Sequence, residues 1–233
     1  MKLITILFTA MTLCTQNTQT SALPEQNQKP VKSFTQWCEE KTTLPEETQY
    51  TIEALLNEAG TQDCEQANQK LSNLTTLYFE NTKISDLKPF SSLKNLTSLG
   101  VTKSEVSDLK PLSNLTNLTK LDLRGNLISD LQPLSNLTNL TYLNLWVNKI
   151  RNVKPLSNLT NLTDLNLYLN NIRNVKPLSN LTNLTWLHLR GNQISNIQSL
   201  SSLTNLKSLL LGGNPITNKN CPVKPDYICD FNH

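Results

Sequence analysis

The sequence predicts an α/β solenoid, a right-handed arc with a parallel β-sheet on its concave side and a cap at each end. A 22-residue pattern, LxxLxLxxNxIxxLxPLxxLxx, recurs seven times over residues 71–216 without insertion or deletion. The flanking segments 33–70 and 217–233 leave the pattern, and each contains two cysteines. A fixed period of about 20–29 residues with this order of leucines is typical of leucine-rich repeats, which supply one strand and a short return segment each.

The apolar positions of each repeat predict one continuous core. In the third repeat they are Leu118, Leu121, Leu123, Ile128, Leu131, Leu134 and Leu137. The Asn of the pattern is expected to form a structural ladder in which amides bond backbone groups of adjacent turns. Its members are Asn126, Asn148, Asn170, Asn192 and Asn214. Thr82 and Ser104 replace Asn in the first two repeats, which predicts a less regular end.

The segments outside the repeats predict two caps, because a terminal repeat has no neighbour to bury its leucines. Residues 33–70 are expected to be helical. One helix should start at Pro45–Glu47, place Tyr50 among its apolar residues and stop at Gly60, and a second should cover Cys64–Leu71. Residues 217–233 should fold as a compact C-terminal cap, with Tyr227, Ile228 and Phe231 as apolar cover.

Cysteine usage indicates disulfides in an exported protein. The cap cysteines are Cys38, Cys64, Cys221 and Cys229, an even number. Seven strands spaced ~4.8 Å apart separate the ends of the array by roughly 30 Å, whereas a disulfide needs Cα atoms about 4.4–6.8 Å apart. The pairing should therefore be Cys38–Cys64 and Cys221–Cys229. A zinc site is the weaker alternative, since no CxxC or nearby His accompanies them.

Residues 1–22 predict a signal peptide. Lys2 precedes an apolar run over 3–13, and Thr20, Ser21 and Ala22 are small residues suited to cleavage. Residues 23–32 should form a flexible linker. The run is too short to span a bilayer comfortably, so we expect a secreted or periplasmic protein with no transmembrane segment. A lipoprotein acylated on Cys14 is the minor alternative, because Leu13 stands where a lipobox has a small residue.

The outward strand positions vary between repeats, while PLSNLTNLT recurs unchanged four times. Its Asn and Thr residues are expected to fill solvated positions around the leucines. Because side chains alternate along a strand, three columns of residues should face the concave side. The candidate ligand-binding residues on repeats 3–6 are Lys120, Asp122, Arg124, Tyr142, Asn144, Trp146, Asp164, Asn166, Tyr168, Trp186, His188 and Arg190.

These columns have the composition of a protein-binding hot spot, with Trp, Tyr and Arg beside Asp and Asn. Arg124, Trp146, Tyr168 and Arg190 are expected to stack with cation–π support. The alternative is that the aromatic residues only stabilise the sheet. A mildly basic edge is expected to be a solvated rim; its residues are Lys88, Lys110, Arg151, Lys154, Arg173 and Lys176.

Catalysis, metal binding and nucleic-acid binding find no support in the sequence. His188 is the one histidine within the repeats, and no nucleophile–base pair can be assembled around it. Asp122 and Asp164 should lie roughly 10 Å apart with no pocket to shift their pKa values. The net charge of +3 is small and dispersed. We therefore expect no cofactor, no metal and no enzymatic activity.

The repeat LSNLTNLTKLDLRGNLISDLQP resembles the internalin-type leucine-rich repeats of bacterial surface and secreted proteins. The flanking FTQWCEEK…DCEQANQKL and NPITNKNCPVKPDYICDF look like the caps of secreted cyanobacterial repeat proteins. The resemblance implies that the concave face engages an extracellular protein. The resulting hypothesis is a secreted, monomeric, non-enzymatic module that binds a protein through repeats 3–6. A glycan-binding cell-envelope protein is the alternative.

Overall fold

A computed structural model describes residues 31–232. The predicted signal peptide with Cys14, and residues 23–30 of the predicted linker, lie outside the described residues. The elements are α1 (Phe34–Glu39), α2 (Glu46–Ala59), α3 (Cys64–Ser72), β1 (Thr76–Glu80), β2 (Ser98–Thr102), β3 (Lys120–Asp122), β4 (Tyr142–Asn144), β5 (Asp164–Asn166), β6 (Trp186–His188), β7 (Ser208–Leu210) and β8 (Cys229–Asp230).

The strands form one parallel sheet in chain order, which confirms the predicted solenoid. Strands β1–β7 pair with a constant offset of 22 residues, so that Lys120 lies opposite Tyr142 and Tyr142 opposite Asp164. Short 3₁₀ turns carry most return segments, with proline in the first turn of five of them. Twenty-two residues leave no room for a longer helix.

The Asn ladder satisfies buried backbone groups between turns. The Asn170 amide nitrogen donates to the carbonyls of Leu145 at 3.0 Å and Leu167 at 3.2 Å, and its oxygen accepts from the Ile150 amide at 3.0 Å. In the first two repeats, a hydroxyl contact of 3.0 Å between Thr82 and Ser104 replaces this network. That end of the array therefore has fewer bonds between turns.

A second ladder runs along the return side, where the Asn residues are exposed as expected but also make hydrogen bonds that the sequence analysis did not predict. The side-chain nitrogens of Asn117, Asn139 and Asn161 each donate to a carbonyl of the preceding turn at 2.9 Å. The hydroxyls of Thr119 and Thr141 donate to the Thr carbonyl 22 residues earlier. These side chains are structural, because they bond one turn to the turn before it.

The N-terminal cap contains three α-helices, one more than predicted. Ser33 and Gln36 form a capping box on α1, and Phe34 is fully buried. The disulfide Cys38–Cys64, with Cα atoms 5.6 Å apart, joins α1 to α3. Closing a loop of this length stabilises a fold by about 3 kcal/mol. Tyr50 is 41% exposed, contrary to its predicted place on the apolar side of α2.

The C-terminal cap adds the eighth strand, which the sequence analysis did not predict. Cys229 pairs with Leu209 and Asp230 with Leu210, extending the sheet by one strand. The disulfide Cys221–Cys229 closes the cap. Val223 and Ile228 supply buried cover, whereas Tyr227 is 85% exposed and does not. Between residues 31 and 232, no helix has the length and apolar character needed to cross a membrane.

Candidate functional site

The concave face brings the twelve candidate residues into three columns over repeats 3–6. Strand pairing sets the first two columns, placing Asp164 beside Trp186 and Asn166 beside His188. The third column lies just beyond the strands, where backbone bonding continues. The Val147 amide donates to the Tyr168 carbonyl at 2.9 Å. All three columns therefore sit on a rigid, hydrogen-bonded surface.

Four aromatic rings form a continuous stack across repeats 4–6. The rings of Trp146 and Tyr168 are parallel within 16° with centroids 5.8 Å apart. Tyr168 then overlies His188 at 4.8 Å and 4°, and Trp186 meets His188 edge-on at 5.4 Å. Such pairs contribute about 0.5–1.5 kcal/mol each beyond area burial. Trp146 and Tyr168 pack along the third column, whereas the two contacts of His188 join different columns.

The predicted stacking of Trp146 on Tyr168 is confirmed, but neither arginine makes the predicted cation–π contact among the described residues. Arg124 donates to the Tyr78 hydroxyl at 2.7 Å and lies 3.6 Å from the Asp122 carboxylate. Arg190 forms a salt bridge with Asp230. Tyr168 contacts His188 where Arg190 was expected. Oppositely charged side chains hold each arginine beside the sheet.

Three side chains of the second column bond the backbone, a structural role that the sequence analysis did not predict. The side-chain oxygens of Asp122, Asn144 and Asn166 accept the backbone amide two residues ahead, at 3.0–3.2 Å. Asn144 is only 4% exposed, so it is not available to a ligand. Asn166 and Asp122 remain partly exposed. The accessible surface is formed chiefly by the first and third columns.

His188 is neutral at physiological pH. Burial, reinforced by the positive charge of Arg190, lowers the pKa of His188 to about 4. Burial also raises the pKa of Asp122, with Arg124 acting in the opposite direction. The ring nitrogens Nε1 of Trp146 and Nε2 of His188 are buried and have no hydrogen-bond partner among the described residues. Leaving such groups unpaired costs about 1–3 kcal/mol each.

A column with left-handed backbone borders the stack, and sequence analysis missed it. It comprises Asn81, Lys103, Gly125, Val147, Leu169, Gly191 and Gly213, all with positive φ. Val147 at 52° and Leu169 at 51° are bulky residues in a conformation that costs about 1–2 kcal/mol for a residue with a Cβ. Their side chains are 41% and 44% exposed. Comparison of the repeats could have found them, because glycine fills three of the seven positions.

Residues outside the predicted set also complete the face. Tyr78 lies over Gly100, where an added Cβ would come within 2.2 Å of its ring. Asp230 of β8 extends the second column by one strand. The described residues contain no cluster of His, Cys, Asp and Glu able to hold a metal ion. The face is thus an aromatic surface edged by paired charges.

The family profile described as "Leucine Rich repeats (2 copies)" matches residues 72–114, 116–153 and 182–220, together just over half of the chain. The chain belongs to the leucine-rich repeat family. Proteins of this family are typically non-enzymatic modules for protein interaction. A search of curated protein sequences finds no match to this leucine-rich repeat protein.

Solved structures indicate the type of leucine-rich repeat. An internalin (InlF) of Listeria monocytogenes is 36% identical with a TM-score of 0.55, over 65% of this chain and 52% of its own. The chain therefore spans about half of that relative. Internalin C2 (InlC2) of the same species is 31% identical with a TM-score of 0.58, over 76% and 88%. The repeats are of the internalin type.

A leucine-rich repeat protein of Leptospira interrogans shows likeness of fold alone. It is 23% identical with a TM-score of 0.52, over 66% of this chain and 46% of its own. The two internalins, together with the two disulfides, suggest an extracellular protein.

Proposed function

We propose that this protein is a secreted module that binds a protein partner through the concave face of repeats 3–6. The observation that carries the proposal is the pair Val147 and Leu169. Each is bulky, exposed and held in left-handed backbone directly after Trp146 and Tyr168. Strain of this kind concentrates at functional sites, because the surrounding fold must maintain it.

The aromatic stack supports the same face. Trp and Tyr are enriched among residues that dominate binding energy, and they present large areas with few rotatable bonds. Trp146, Tyr168 and Trp186 are each half-buried. The stack and the strained pair together form one apolar surface, and the ion pairs of Arg124 and Arg190 edge it.

Capture of the partner tests the proposal. The purified exported protein is immobilised, proteins retained from culture medium and cell envelopes are identified by mass spectrometry, and the Kd of the purified partner is measured. The double variant Trp146→Ala/Trp186→Ala should weaken binding at least a hundredfold, because two stacked anchors are removed. Tyr227→Ala is the matched control, since Tyr227 is an exposed aromatic residue in the C-terminal cap.

The variant Val147→Gly/Leu169→Gly separates binding from stability. It removes the strained side chains, so we expect an unchanged or higher melting temperature together with at least tenfold weaker binding. Full binding by this variant, or full binding by a tryptophan variant that melts much earlier, would show that the surface is structural. A partner found only on a neutral glycan array, with no protein retained, would favour the glycan-binding alternative.

A further inference from the structure

A second surface lies on the edge that follows the left-handed column. In repeats 4 and 5 this edge carries five cationic residues, here called the basic edge cluster: Lys149, Arg151, Lys154, Arg173 and Lys176. All five are exposed, and no salt bridge within residues 31–232 involves any of them. The cluster is therefore an unopposed positive surface.

Comparison of the repeats shows that arginine on this edge is confined to repeats 4 and 5, although Lys88 and Lys110 lie on the same edge in repeats 1 and 2. Arg151 and Arg173 occupy a position that is serine in four other repeats: Ser85, Ser107, Ser129 and Ser195. The next position is Asp86, Asp108 and Asp130 in the first three repeats and Asn in all later ones: Asn152, Asn174, Asn196 and Asn218. Repeats 4 and 5 are therefore the two repeats that combine an arginine with a neutral neighbour in place of the aspartate.

The exchange of Asp for Asn leaves the local backbone unchanged. Asp108 accepts the Lys110 amide at 2.9 Å, and Asn174 accepts the Lys176 amide at 3.0 Å in the same way. The turn does not require the neutral residue, since a carboxylate makes the same bond in repeats 1–3. What the exchange alters is the electrostatic potential around the arginines. Asp130, one repeat away, is the nearest acidic residue in this row of positions.

Two adjoining clefts lie at the basic edge cluster. One, of about 340 Å³, is lined by Arg151, Arg173 and the amide side chains Asn171, Asn174 and Gln193. The other, of about 360 Å³, shares Arg151 and Asn171 with it. The Nε of Arg173 donates to the Gln193 side-chain oxygen at 2.8 Å, which orients the guanidinium and leaves its terminal nitrogens as donors.

These side chains fit an acidic sugar. A guanidinium pairs with sulfate or carboxylate through two parallel hydrogen bonds, and amide nitrogens donate to hydroxyl oxygens. The lining of both clefts lacks an aromatic side chain on which a nucleic-acid base could stack. We propose that the clefts of repeats 4 and 5 bind an acidic oligosaccharide that carries sulfate or uronate groups. This site is separate from the concave face.

Isothermal titration with a sulfated, heparin-derived hexasaccharide and with a galacturonate oligomer tests the site. The wild-type protein should bind at least one of them, with a Kd that rises with salt. Arg151→Gln/Arg173→Gln should weaken binding at least tenfold. The matched control is Lys88→Gln/Lys110→Gln, which removes the same charge from the same edge in repeats 1 and 2. Control binding should change less than twofold.

Several results would overturn the assignment. Equal losses in the arginine and control variants would mean that only net charge matters. Inorganic sulfate that binds as tightly as the hexasaccharide would indicate an adventitious ion only. Tighter binding of single-stranded DNA of matched charge would replace the sugar by a nucleic acid. Loss of hexasaccharide binding in Trp146→Ala/Trp186→Ala would move the ligand to the concave face, whereas retained binding supports two separate sites.

Discussion

Repeats 5 and 6 each contain a strand, a ladder Asn and a 3₁₀ return segment. Among the positions where they differ, three lie in the left-handed column and on the basic edge. Leu169 stands in left-handed backbone where repeat 6 has Gly191. Arg173 occupies the edge position where repeat 6 has Ser195, and Lys176 stands where it has Gln198. Repeat 6 shows that the fold does not need the bulky or the charged residue.

The difference between repeats 5 and 6 separates residues that the fold requires from residues that it does not require. A left-handed leucine costs more than a glycine, and clustered cations repel each other, so neither helps the solenoid to form. Repeats 4 and 5 carry both features side by side, as Val147 with Arg151 and Leu169 with Arg173. Residues that lower the stability of the scaffold are better candidates for binding than residues that stabilise it.

The largest effect should come from the ladder, which repeats 4–6 have in common. Asn170→Ala removes the side chain that accepts from Ile150 and donates to two buried carbonyls. We expect a loss of about 3 kcal/mol in unfolding free energy, because these groups stay buried without partners. Urea denaturation measures it.

Ser104→Ala is the control at the less regular end of the array. It breaks a contact with Thr82 and should cost about 1 kcal/mol. Equal losses in the two variants would contradict the view that the ladder makes the later repeats more strongly bonded.

A substitution in the left-handed column tests the comparison of repeats 5 and 6 directly. Gly191→Val puts a β-branched residue at φ +63°, with its Cβ only 2.7 Å from Leu169 Cδ2. The variant should lose about 2 kcal/mol, since backbone strain adds to the need for Leu169 to move. Thermal and urea denaturation give the value.

The reverse exchange, Val147→Gly, should gain about 1 kcal/mol in the same assay. A stabilising Gly191→Val would mean that left-handed backbone costs nothing in these turns, and the argument from strain would fail.

The smallest effect concerns acid stability and His188. Its pKa is lowered to about 4 in the folded protein from an ordinary 6.5, so the unfolded chain binds more protons between these values. Stability should therefore fall as the pH drops from about 6.5 towards 4. Because the ring is partly exposed, we expect the contribution to be about 1 kcal/mol.

Urea midpoints at pH 7 and pH 4.5 check this contribution. His188→Gln should lose less stability than the wild type between the two pH values. Asp122, whose pKa is raised by burial, acts in the opposite direction and is present in both proteins. An identical pH dependence in both proteins would count against the assigned shift.

The period, the core leucines and the general position of the concave face could be predicted from the sequence, because alternation along short parallel strands assigns each residue a side. The helix α1 and the strand β8 could not, since six and two residues are too few to show a period. Nor could the burial of Asn144, because Asp122 and Asn166 make the same bond to the amide two residues ahead and remain partly exposed. Ring packing between columns depends on side-chain angles that spacing does not determine.

The return-side bonds also bear on how the chain can vary in length. Asn183 donates to Thr160 and Asn205 to Thr182, always one turn back. Excision of residues 162–183 would leave every remaining donor with an equivalent acceptor, because the turn that moves into place has the same residues at those positions. The sheet can thus gain or lose span in steps of one strand spacing, about 4.8 Å, with no new kind of contact. Duplication or deletion of whole repeats would therefore change the width of the binding face without disrupting the fold.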